Sequence, residues 1–265
     1  MPDTIIPARE PRRVRYDTRR RDLTVTATSL LSPHMKRIAL SGDMEGFQSL
    51  GFDDHIKLFF PDPETGEVAL PGGEAKPVGR DYTPRFFDVA AGTLVLDFAL
   101  HGIEEGTAGP ATRWAHGAGP GDRLVLGGPR GSSVWPLDFA LHLLIGDDTA
   151  LPAIARRLAE LPAGARAIVL AAVDSPDDRL SFNTRADASI HWVFRDPAHG
   201  GHDLAAAVAG LCLTERDVFA WVATEAAQAR LIREELVGRQ GLDPRHMKAA
   251  GYWHKGEAGA HSKIE

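Results

Sequence analysis

The sequence predicts a two-domain protein, in which an antiparallel β-barrel of six strands precedes a doubly wound α/β domain built on a parallel sheet. In the first half, clusters of glycine and proline separate short apolar or alternating segments, a pattern typical of small barrels. From residue 139 onward, longer apolar runs alternate with helical segments, which indicates buried parallel strands joined by helices. The pattern changes near Trp135–Leu137, so we expect domains at residues 1–137 and 138–265.

The barrel strands are predicted from segments that are rich in apolar residues or that alternate between apolar and polar ones. They cover residues 22–28, 35–41, 55–60, 93–100 and 122–128, and an extended segment is also expected at Arg80–Arg85. Turn-forming clusters such as Pro61–Gly66 and Pro71–Gly73 separate neighbouring strands. About six short strands at this spacing favour a small closed barrel.

The second half is predicted as alternating strands and helices. Strands are expected at residues 139–146, 166–173, 190–194, 217–223 and 247–253, and helices at 149–161, 203–209 and 225–240. Pro152 falls in the first turn of its helix, where a missing N–H is tolerated. The last helix carries acidic residues early and Arg239 late, which suits the helix dipole.

Composition excludes several classes of function. The formal net charge of −6 gives no general attraction to nucleic acid or to anionic membranes. Arginines cluster near the N-terminus, but Glu10, Asp17 and Asp22 dilute them, so a solvated leader strand is preferred to a nucleic-acid-binding arm. No apolar run approaches the ~20 residues of a membrane span, and the N-terminus lacks the apolar core of a signal peptide. We expect a cytoplasmic monomer with neither nucleic acid nor membrane as a partner.

Cys212 is the only cysteine in the chain. A single cysteine excludes an intrachain disulfide and a cysteine-ligated iron–sulfur cluster. Because it lies in the apolar run Val208–Leu213, we expect a buried, unreactive thiol.

The segment Arg80–Arg85 offers two guanidinium groups, a phenol ring and a hydroxyl on one extended stretch. A flavin needs such a set: an aromatic face for the isoalloxazine, a hydrogen bond near N5 and cations for phosphate. Downstream, the small residues of Gly109–Ala115 can begin a helix whose exposed N–H groups face an anion. Together, and followed by an α/β half, these two segments point to a flavin-dependent reductase.

Two strand ends in the α/β half are candidate nucleotide contacts. Gly146–Pro152 is a glycine-containing turn after a buried strand, where doubly wound sheets bind ligands. Asp147 and Asp148 would repel a pyrophosphate, so this turn is expected to face the nicotinamide-ribose half; an ordinary strand-to-helix turn is the alternative. At Trp221–Glu225 a strand ends in small residues before Thr and Glu, for which helix capping alone is the alternative to nucleotide contact.

Four further residues have open interpretations. His101 ends a strand and is either a flavin contact or a structural histidine, and Arg113 is expected to point to solvent. Trp114 packs either under its helix or against a ring. Trp253 ends the last predicted strand, where it is either part of the core or a ring that shields a flavin.

These motifs in this order resemble the siderophore-interacting protein family of ferric-siderophore reductases, relatives of the ferredoxin–NADP reductase superfamily. The resemblance spans residues 20–259 and is carried by RDYT at Arg80–Thr83, HGIEEGTAGPATRWA at His101–Ala115, GPRGS at Gly128–Ser132, GDDTALPAIARRLAELP at Gly146–Pro162, WVATE at Trp221–Glu225 and GYWHKGEAG at Gly251–Gly259. It implies a ferredoxin reductase-like fold with an FAD-binding barrel, an NAD(P)H-binding domain and an iron chelate as electron acceptor.

The resemblance also implies roles for individual residues. FAD would be held by Arg80, Tyr82, Thr83, His101, Gly109, Ala111 and Thr112; Gly146, Asp147, Thr149 and Ala150 would border the nicotinamide, Thr224 and Glu225 would lie near the rest of the dinucleotide, and Trp253 matches the family's C-terminal aromatic motif. Two departures stand out: His254-Lys255 replaces an arginine common in relatives, and Thr224 stands where many carry glycine.

A ferric siderophore of the catecholate type is strongly anionic, so its pocket is expected to contain cations. Lys57 alternates with apolar Ile56 and Leu58, Arg130 lies in a glycine-rich loop, and Lys255 follows the terminal aromatic pair. Each is either a substrate contact or a solvated surface charge.

The function expected from the sequence is the transfer of electrons from NADPH or NADH through FAD to chelated Fe(III), which releases Fe(II). One alternative is a flavin reductase or another oxidoreductase of the same superfamily, and a different class is a non-catalytic siderophore-binding protein. The preference between NADPH and NADH stays open, with Arg179 or Arg185 as candidate contacts for a 2′-phosphate.

Overall fold

A computed structural model describes residues 9–62, 64–103, 106–195, 203–256 and 262–264. Parts of three expected segments lie outside these residues: Pro63, Glu104 with Glu105, and residues 257–259. The chain divides into two compact units, one of residues 13–134 and one of residues 135–265 together with the leader up to Arg12. Among the described residues, none of the helices has both the length and the apolar character that a membrane span requires.

The first unit is an antiparallel sheet with one helix. Its strands are β1 Arg12–Arg15, β2 Arg20–Ser32, β3 Met35–Gly42, β4 Ile56–Phe60, β5 Val78–Tyr82, β6 Phe86–Asp88, β7 Thr93–Ala99, β8 Arg123–Gly127 and β9 Gly131–Val134, and its helix is α1 Pro110–Gly117. The main sheet has the order β5-β4-β8-β2-β3-β7-β6, and β1 pairs separately with β9. The sheet therefore has seven strands rather than the six expected, because the three-residue β6 is too short to show a sequence period.

The core of the first unit follows from alternation along its strands. In β2, buried Leu23 and Val25 alternate with exposed neighbours, and Phe98 on β7 is fully buried. Helix α1 contributes Ala111 and Ala115 to the same core.

The second unit is a mixed sheet with helical connections. Its elements are β10 Leu141–Gly146, α2 Leu151–Glu160, β11 Arg166–Val173, β12 Asp187–Phe194, α3 Leu204–Ala209, β13 Val218–Glu225, α4 Ala226–Glu234, β14 Met247–Trp253 and β15 Ser262–Ile264. The strand order is β12-β11-β10-β13-β14-β15, in which the first five strands are parallel and β15 is antiparallel. The carboxyl ends of the five parallel strands therefore share one edge.

The expected burial of Cys212 is wrong, because its side chain is exposed. It follows α3 in a loop where Leu211 and Leu213 pack against the core, so the residue between them faces outward. Apolar neighbours in the sequence do not bury a residue when the chain is extended.

A buried polar cluster lies at the amino end of β10, at the opposite edge of the sheet from the carboxyl ends of the parallel strands. The fully buried His142 contacts the carbonyl of Leu137 through Nε2 (3.2 Å), while Arg157 Nη2 donates to its Nδ1 (3.3 Å). A ring that accepts at Nδ1 and donates from Nε2 is neutral. Burial, and secondarily the charge of Arg157, lowers the pKa of His142 to about 4.

The leader contributes Arg9 to the same end of this unit. Its guanidinium pairs with Asp217 and Asp138 and lies 4.0 Å from the centre of the Phe139 ring. Its backbone N–H donates to Nε2 of the buried His246 (3.1 Å).

Candidate functional site

The buried carboxylate of Asp147 joins three strand ends of the second unit. Asp147 follows β10 and is 4% exposed. Its Oδ1 accepts from the backbone N–H (3.1 Å) and hydroxyl (2.5 Å) of Thr149, and its Oδ2 accepts from Thr224 Oγ1 and Trp253 Nε1, both at 2.8 Å. Thr224 is near the end of β13 and Trp253 ends β14, so the Asp147 side chain binds residues that follow it by 77 and 106 positions.

The Asp147 carboxylate has no cation among these contacts, and its environment opposes ionisation. Burial raises the pKa of Asp147, and the charge of Asp148 adds to the effect. The hydrogen bonds from Thr149, Trp253 and Thr224 act in the opposite direction. The contacts suit an acceptor that fixes two side chains at the ends of β13 and β14.

Gly146 allows the turn after β10 to lie close to the backbone of β13. A Cβ at this position would lie 2.4 Å from Cβ of Ala150 and 2.6 Å from the carbonyl oxygen of Ala223. Gly251 on β14 is similarly restricted, since its Cβ would lie 2.7 Å from that of Ala226. Small residues therefore keep backbone close together along this edge.

Glu225 does not join the Asp147 cluster. Its carboxylate accepts from the backbone N–H groups of Ala227 (2.7 Å) and Gln228 (3.1 Å), so it caps α4. Of the two residues for which helix capping was the alternative, Glu225 makes capping contacts. The Thr224 hydroxyl instead donates to Asp147.

The first unit places its candidate residues on β5 and at the start of α1. Tyr82 ends β5, with its ring centre 4.4 Å from that of Phe98, and burial raises the pKa of its phenol. Thr83 is buried, and Arg80 is half-buried with Nη1 donating to the carbonyl of Gly79 (2.8 Å). Trp114 packs beneath its helix, with its ring centre 5.8 Å from the ring centres of both Phe60 and Phe98.

The start of α1 fits an anionic group. Gly109 precedes the helix, no side chain caps it, and its first turn contains no acidic residue. A Cβ at Gly109 would meet nothing within 4 Å, so the space beside the first N–H groups is open. Unpaired N–H groups at a helix N-terminus bind phosphate. Arg113 is exposed, and its Nη1 donates to the carbonyl of Ala108 (2.5 Å), the residue directly before Gly109.

The candidate cations differ in their surroundings. Lys57 is paired with Asp81 across the β4–β5 register, with Nζ 2.7 Å from Oδ1. Arg130 is exposed, and it follows Gly127, the residue opposite Lys57 on β8, by three positions. Lys255 is exposed after β14, and His101 is half-buried after β7.

Comparison with known proteins identifies the chain. Residues 139–256 match the family described as siderophore-interacting protein, and residues 24–133 match the siderophore-interacting FAD-binding domain. The chain is 36% identical to the NADPH-dependent ferric-chelate reductase of Escherichia coli K12, over 93% of this chain and 97% of that protein. The chain belongs to the siderophore-interacting protein family.

Further similar proteins agree with this assignment. The ferric vibriobactin reductase ViuB of Vibrio cholerae is 32% identical, with 86% of each chain covered. The solved structure of a siderophore utilization protein from T. fusca superposes with a TM-score of 0.85 and 35% identity, covering 94% of this chain and 98% of that one. Ferredoxin-NADP+ reductase from Plasmodium falciparum, at 11% identity and a TM-score of 0.61 over 85% of this chain and 94% of that one, shares the fold.

The motifs of the siderophore-interacting family did not reveal a buried network around Asp54. Its Oδ2 accepts from Ser49 Oγ (3.0 Å), from the Gly51 N–H (3.0 Å) and from Ser132 Oγ (2.5 Å), and burial raises its pKa. The network connects the loop before β4 to β9, and so positions the segments that carry Lys57 and Arg130. Two adjacent acidic residues before a strand were the only sequence signal.

Substitution of Gly146 by alanine is expected to lower the free energy of unfolding by about 2 kcal/mol, because the added Cβ overlaps backbone that cannot move freely. Chemical denaturation of the full chain measures this. Gly238→Ala is the matched control, since a Cβ there meets nothing within 4 Å, and it is expected to be neutral or slightly stabilising. Equal stability of the Gly146 variant and the wild type would contradict the crowding at this turn.

Proposed function

We propose that this chain is a ferric-siderophore reductase that uses NADPH and FAD to reduce chelated Fe(III) and release Fe(II). The observation that carries the proposal is 36% identity, over 93% of the chain, to a protein named NADPH-dependent ferric-chelate reductase. The overall reaction oxidises one NADPH to NADP+ and H+ while two Fe(III) become two Fe(II). Fe(III) prefers hard oxygen ligands, and Fe(II) is held less tightly by them, so reduction loosens the chelate.

We assign FAD to the first unit and the nicotinamide nucleotide to the second, following the expected domains at residues 1–137 and 138–265. When bound, FAD supplies the conversion of a two-electron donor into two one-electron reductions. The uncapped start of α1 supports a phosphate contact at Gly109, Ala111 and Thr112. Arg80, Tyr82, Thr83 and His101 complete the proposed flavin site.

The residues around Asp147 are proposed to receive the nicotinamide-ribose half. Asp147 holds the Trp253 indole and the Thr224 hydroxyl in fixed positions at the strand ends. Because Gly146 and Ala150 have little or no side chain, they leave room for a ligand to approach the backbone of this turn. The negative charges of Asp147 and Asp148 favour this half over a pyrophosphate at the turn.

The function is tested by anaerobic mixing of the FAD-loaded protein with NADPH and then with ferric chelates, while flavin absorbance and trapped Fe(II) are followed. Flavin bleaching by NADPH, followed by reoxidation and Fe(II) release on addition of the chelate, is the expected result. Bleaching without Fe(II) from any ferric chelate would favour a flavin reductase. A protein that binds ferric siderophore but takes up no FAD would be a non-catalytic carrier.

Replacement of Lys57 or Arg130 by alanine is expected to weaken binding of an anionic tris-catecholate iron complex about fivefold, with little effect on a neutral hydroxamate complex. The reason is the loss of a favourable charge, worth about 1 kcal/mol at a partly exposed site. Asp81→Asn is expected to act oppositely, because Asp81 neutralises Lys57. Titration of each chelate against intrinsic fluorescence measures the affinities.

Arg123 provides the control for this charge effect. It is an exposed arginine on β8, paired with Asp22, and Arg123→Ala should change neither affinity. Equal losses for the anionic and neutral chelates in the Lys57 and Arg130 variants would refute an electrostatic role for these two residues.

A further inference from the structure

An arginine and an aspartate meet where β11 and β12 end. Asp174 directly follows β11, and Arg195 directly follows β12. The Arg195 backbone N–H donates to the carbonyl of Val173 (3.1 Å), and its Nε donates to Asp174 Oδ1 (2.8 Å). These two hydrogen bonds fix the position of Arg195. Its side chain is 51% exposed and is therefore accessible to a ligand.

This pair lies on the same edge of the sheet as the Asp147 cluster, because β10 to β13 are parallel. The chain proceeds from β10 outward to β11 and β12 and then returns to the other side of β10 as β13. Such a reversal is a topological switch point, where parallel sheets bind dinucleotides across the strand ends. With the nicotinamide half at β10 and β13, the adenosine half extends toward β11 and β12.

The adenosine ribose is the part that distinguishes the two nicotinamide cofactors. In dinucleotide-binding sheets, an acidic residue after the second strand binds the ribose 2′-hydroxyl, whereas a nearby arginine accommodates a 2′-phosphate. Here both residue types are present and in contact. Asp174 binds the Nε position of Arg195, and the planar guanidinium grips phosphate in a bidentate manner.

We propose that Arg195 binds the 2′-phosphate of the adenosine ribose, held in position by Asp174, and makes the protein selective for NADPH over NADH. The inference rests on the proposed dinucleotide site and assigns its specificity-determining residue. It replaces both arginines that the sequence suggested for this role, Arg179 and Arg185.

Geometry separates Arg195 from these two alternatives. Arg185 precedes β12, and its carbonyl accepts from the N–H of Gly164 (3.0 Å), which places it at the amino ends of β11 and β12, across the sheet from the Asp147 cluster. Arg179 is at the correct edge, but its Nε donates to the carbonyl of Pro176 (2.8 Å) in a turn that also carries Asp177 and Asp178.

The charges near Arg195 bear on its ability to bind an anion. Asp174 is its ion-pair partner, and Asp178 is buried and accepts from Ser175 Oγ (2.9 Å). Asp177 is exposed, so solvent and salt weaken its repulsion of a phosphate. Within the part of the chain that the structure describes, Arg195 is the arginine that directly follows a parallel strand at this edge. Its loss is therefore expected to affect 2′-phosphate binding most.

Calorimetric titration of the FAD-loaded full chain with 2′,5′-ADP and with 5′-AMP tests the proposal. Arg195→Ala is expected to weaken 2′,5′-ADP binding about 10- to 100-fold, as for loss of charged hydrogen bonds, and to leave 5′-AMP binding unchanged. Arg195→Lys keeps the positive charge but cannot bind phosphate in a bidentate manner, so its affinity for 2′,5′-ADP should fall less than that of the alanine variant. Arg185→Ala is the matched control and should bind both nucleotides as the wild type does.

Several outcomes would overturn the assignment: equal weakening of both nucleotides by Arg195→Ala, loss of 2′,5′-ADP binding in Arg179→Ala instead, or no discrimination between the nucleotides by the wild type. Unchanged 5′-AMP binding shows that a variant is folded. If Arg195→Ala does not fold, the 2′,5′-ADP affinity of Arg195→Lys tests the proposal instead. Because nucleotide binding requires no iron reduction, the result stands apart from the test of the proposed reaction. In turnover, the ratio of kcat/KM for NADPH to that for NADH should fall by the same factor.

Discussion

Replacement of Asp147 by alanine is expected to lower the free energy of unfolding by about 2–4 kcal/mol and to weaken dinucleotide binding about tenfold. The variant removes the acceptor for Thr149, Thr224 and Trp253. The Thr224 hydroxyl is buried and would be left without its acceptor, which costs more than loss of an exposed hydrogen bond. The Trp253 indole would lose the contact that fixes its orientation.

Chemical denaturation and calorimetric titration with NADP+ measure the two effects of this substitution. Asp148→Ala is the matched control, since it removes a neighbouring carboxylate that is only partly buried. Removal of Asp148 should also lower the pKa of Asp147, because its charge is part of what raises that pKa. An Asp147 variant as stable as Asp148→Ala and with unchanged NADP+ affinity would show that the cluster has no positioning role.

Acidification from pH 7 to pH 4.5 is expected to cost the protein about 2–3 kcal/mol of stability through His142 alone. The folded-state pKa is about 4, below the ordinary histidine value of 6.5, so the unfolded chain takes up the proton first. At about 1.4 kcal/mol per pKa unit, the full difference is about 3 kcal/mol. This contribution is present above pH 6.5 and is lost as the pH falls toward 4.

His142→Gln isolates this contribution, because glutamine can donate to the Leu137 carbonyl and accept from Arg157 but does not titrate. Denaturant unfolding at both pH values should show a smaller loss for the variant than for the wild type. His191→Gln, at an exposed position on β12, should retain the full loss. If His142→Gln and the wild type lose the same stability, His142 does not remain neutral in the folded protein.

Local pattern was sufficient to predict most elements. The strands predicted at 166–173 and 247–253 agree with β11 and β14 residue for residue, because a buried strand between turn residues leaves few choices of boundary. The short β6, β9 and β15 were missed, since three or four residues carry no period. The helix predicted at 225–240 ends as α4 at Glu234 and continues as a π-helical turn to Arg239.

The candidate site was predictable as a set of strand ends but not as a set of contacts. The turn at Gly146 and the terminal aromatic Trp253 were both identified, yet the hydrogen bond between Asp147 and Trp253 depends on β10 and β14 flanking β13. In the same way, the pairing of Lys57 with Asp81 follows from the β4–β5 register, which the sequence does not specify. The capping role of Glu225 could be predicted because it is local.

The contacts of Arg9 have a consequence for dissecting the molecule. The residues up to Arg12 group with the α/β unit, although residues 13–134 lie between them and the rest of that unit. A fragment starting at Trp135 would lack the guanidinium that meets Asp217 and covers Phe139, and His246 would lose a donor. The α/β unit is thus discontinuous in sequence. A fragment that reproduces it must include the leader as well as the residues from Trp135 onward, for instance by expression from a circularly permuted gene.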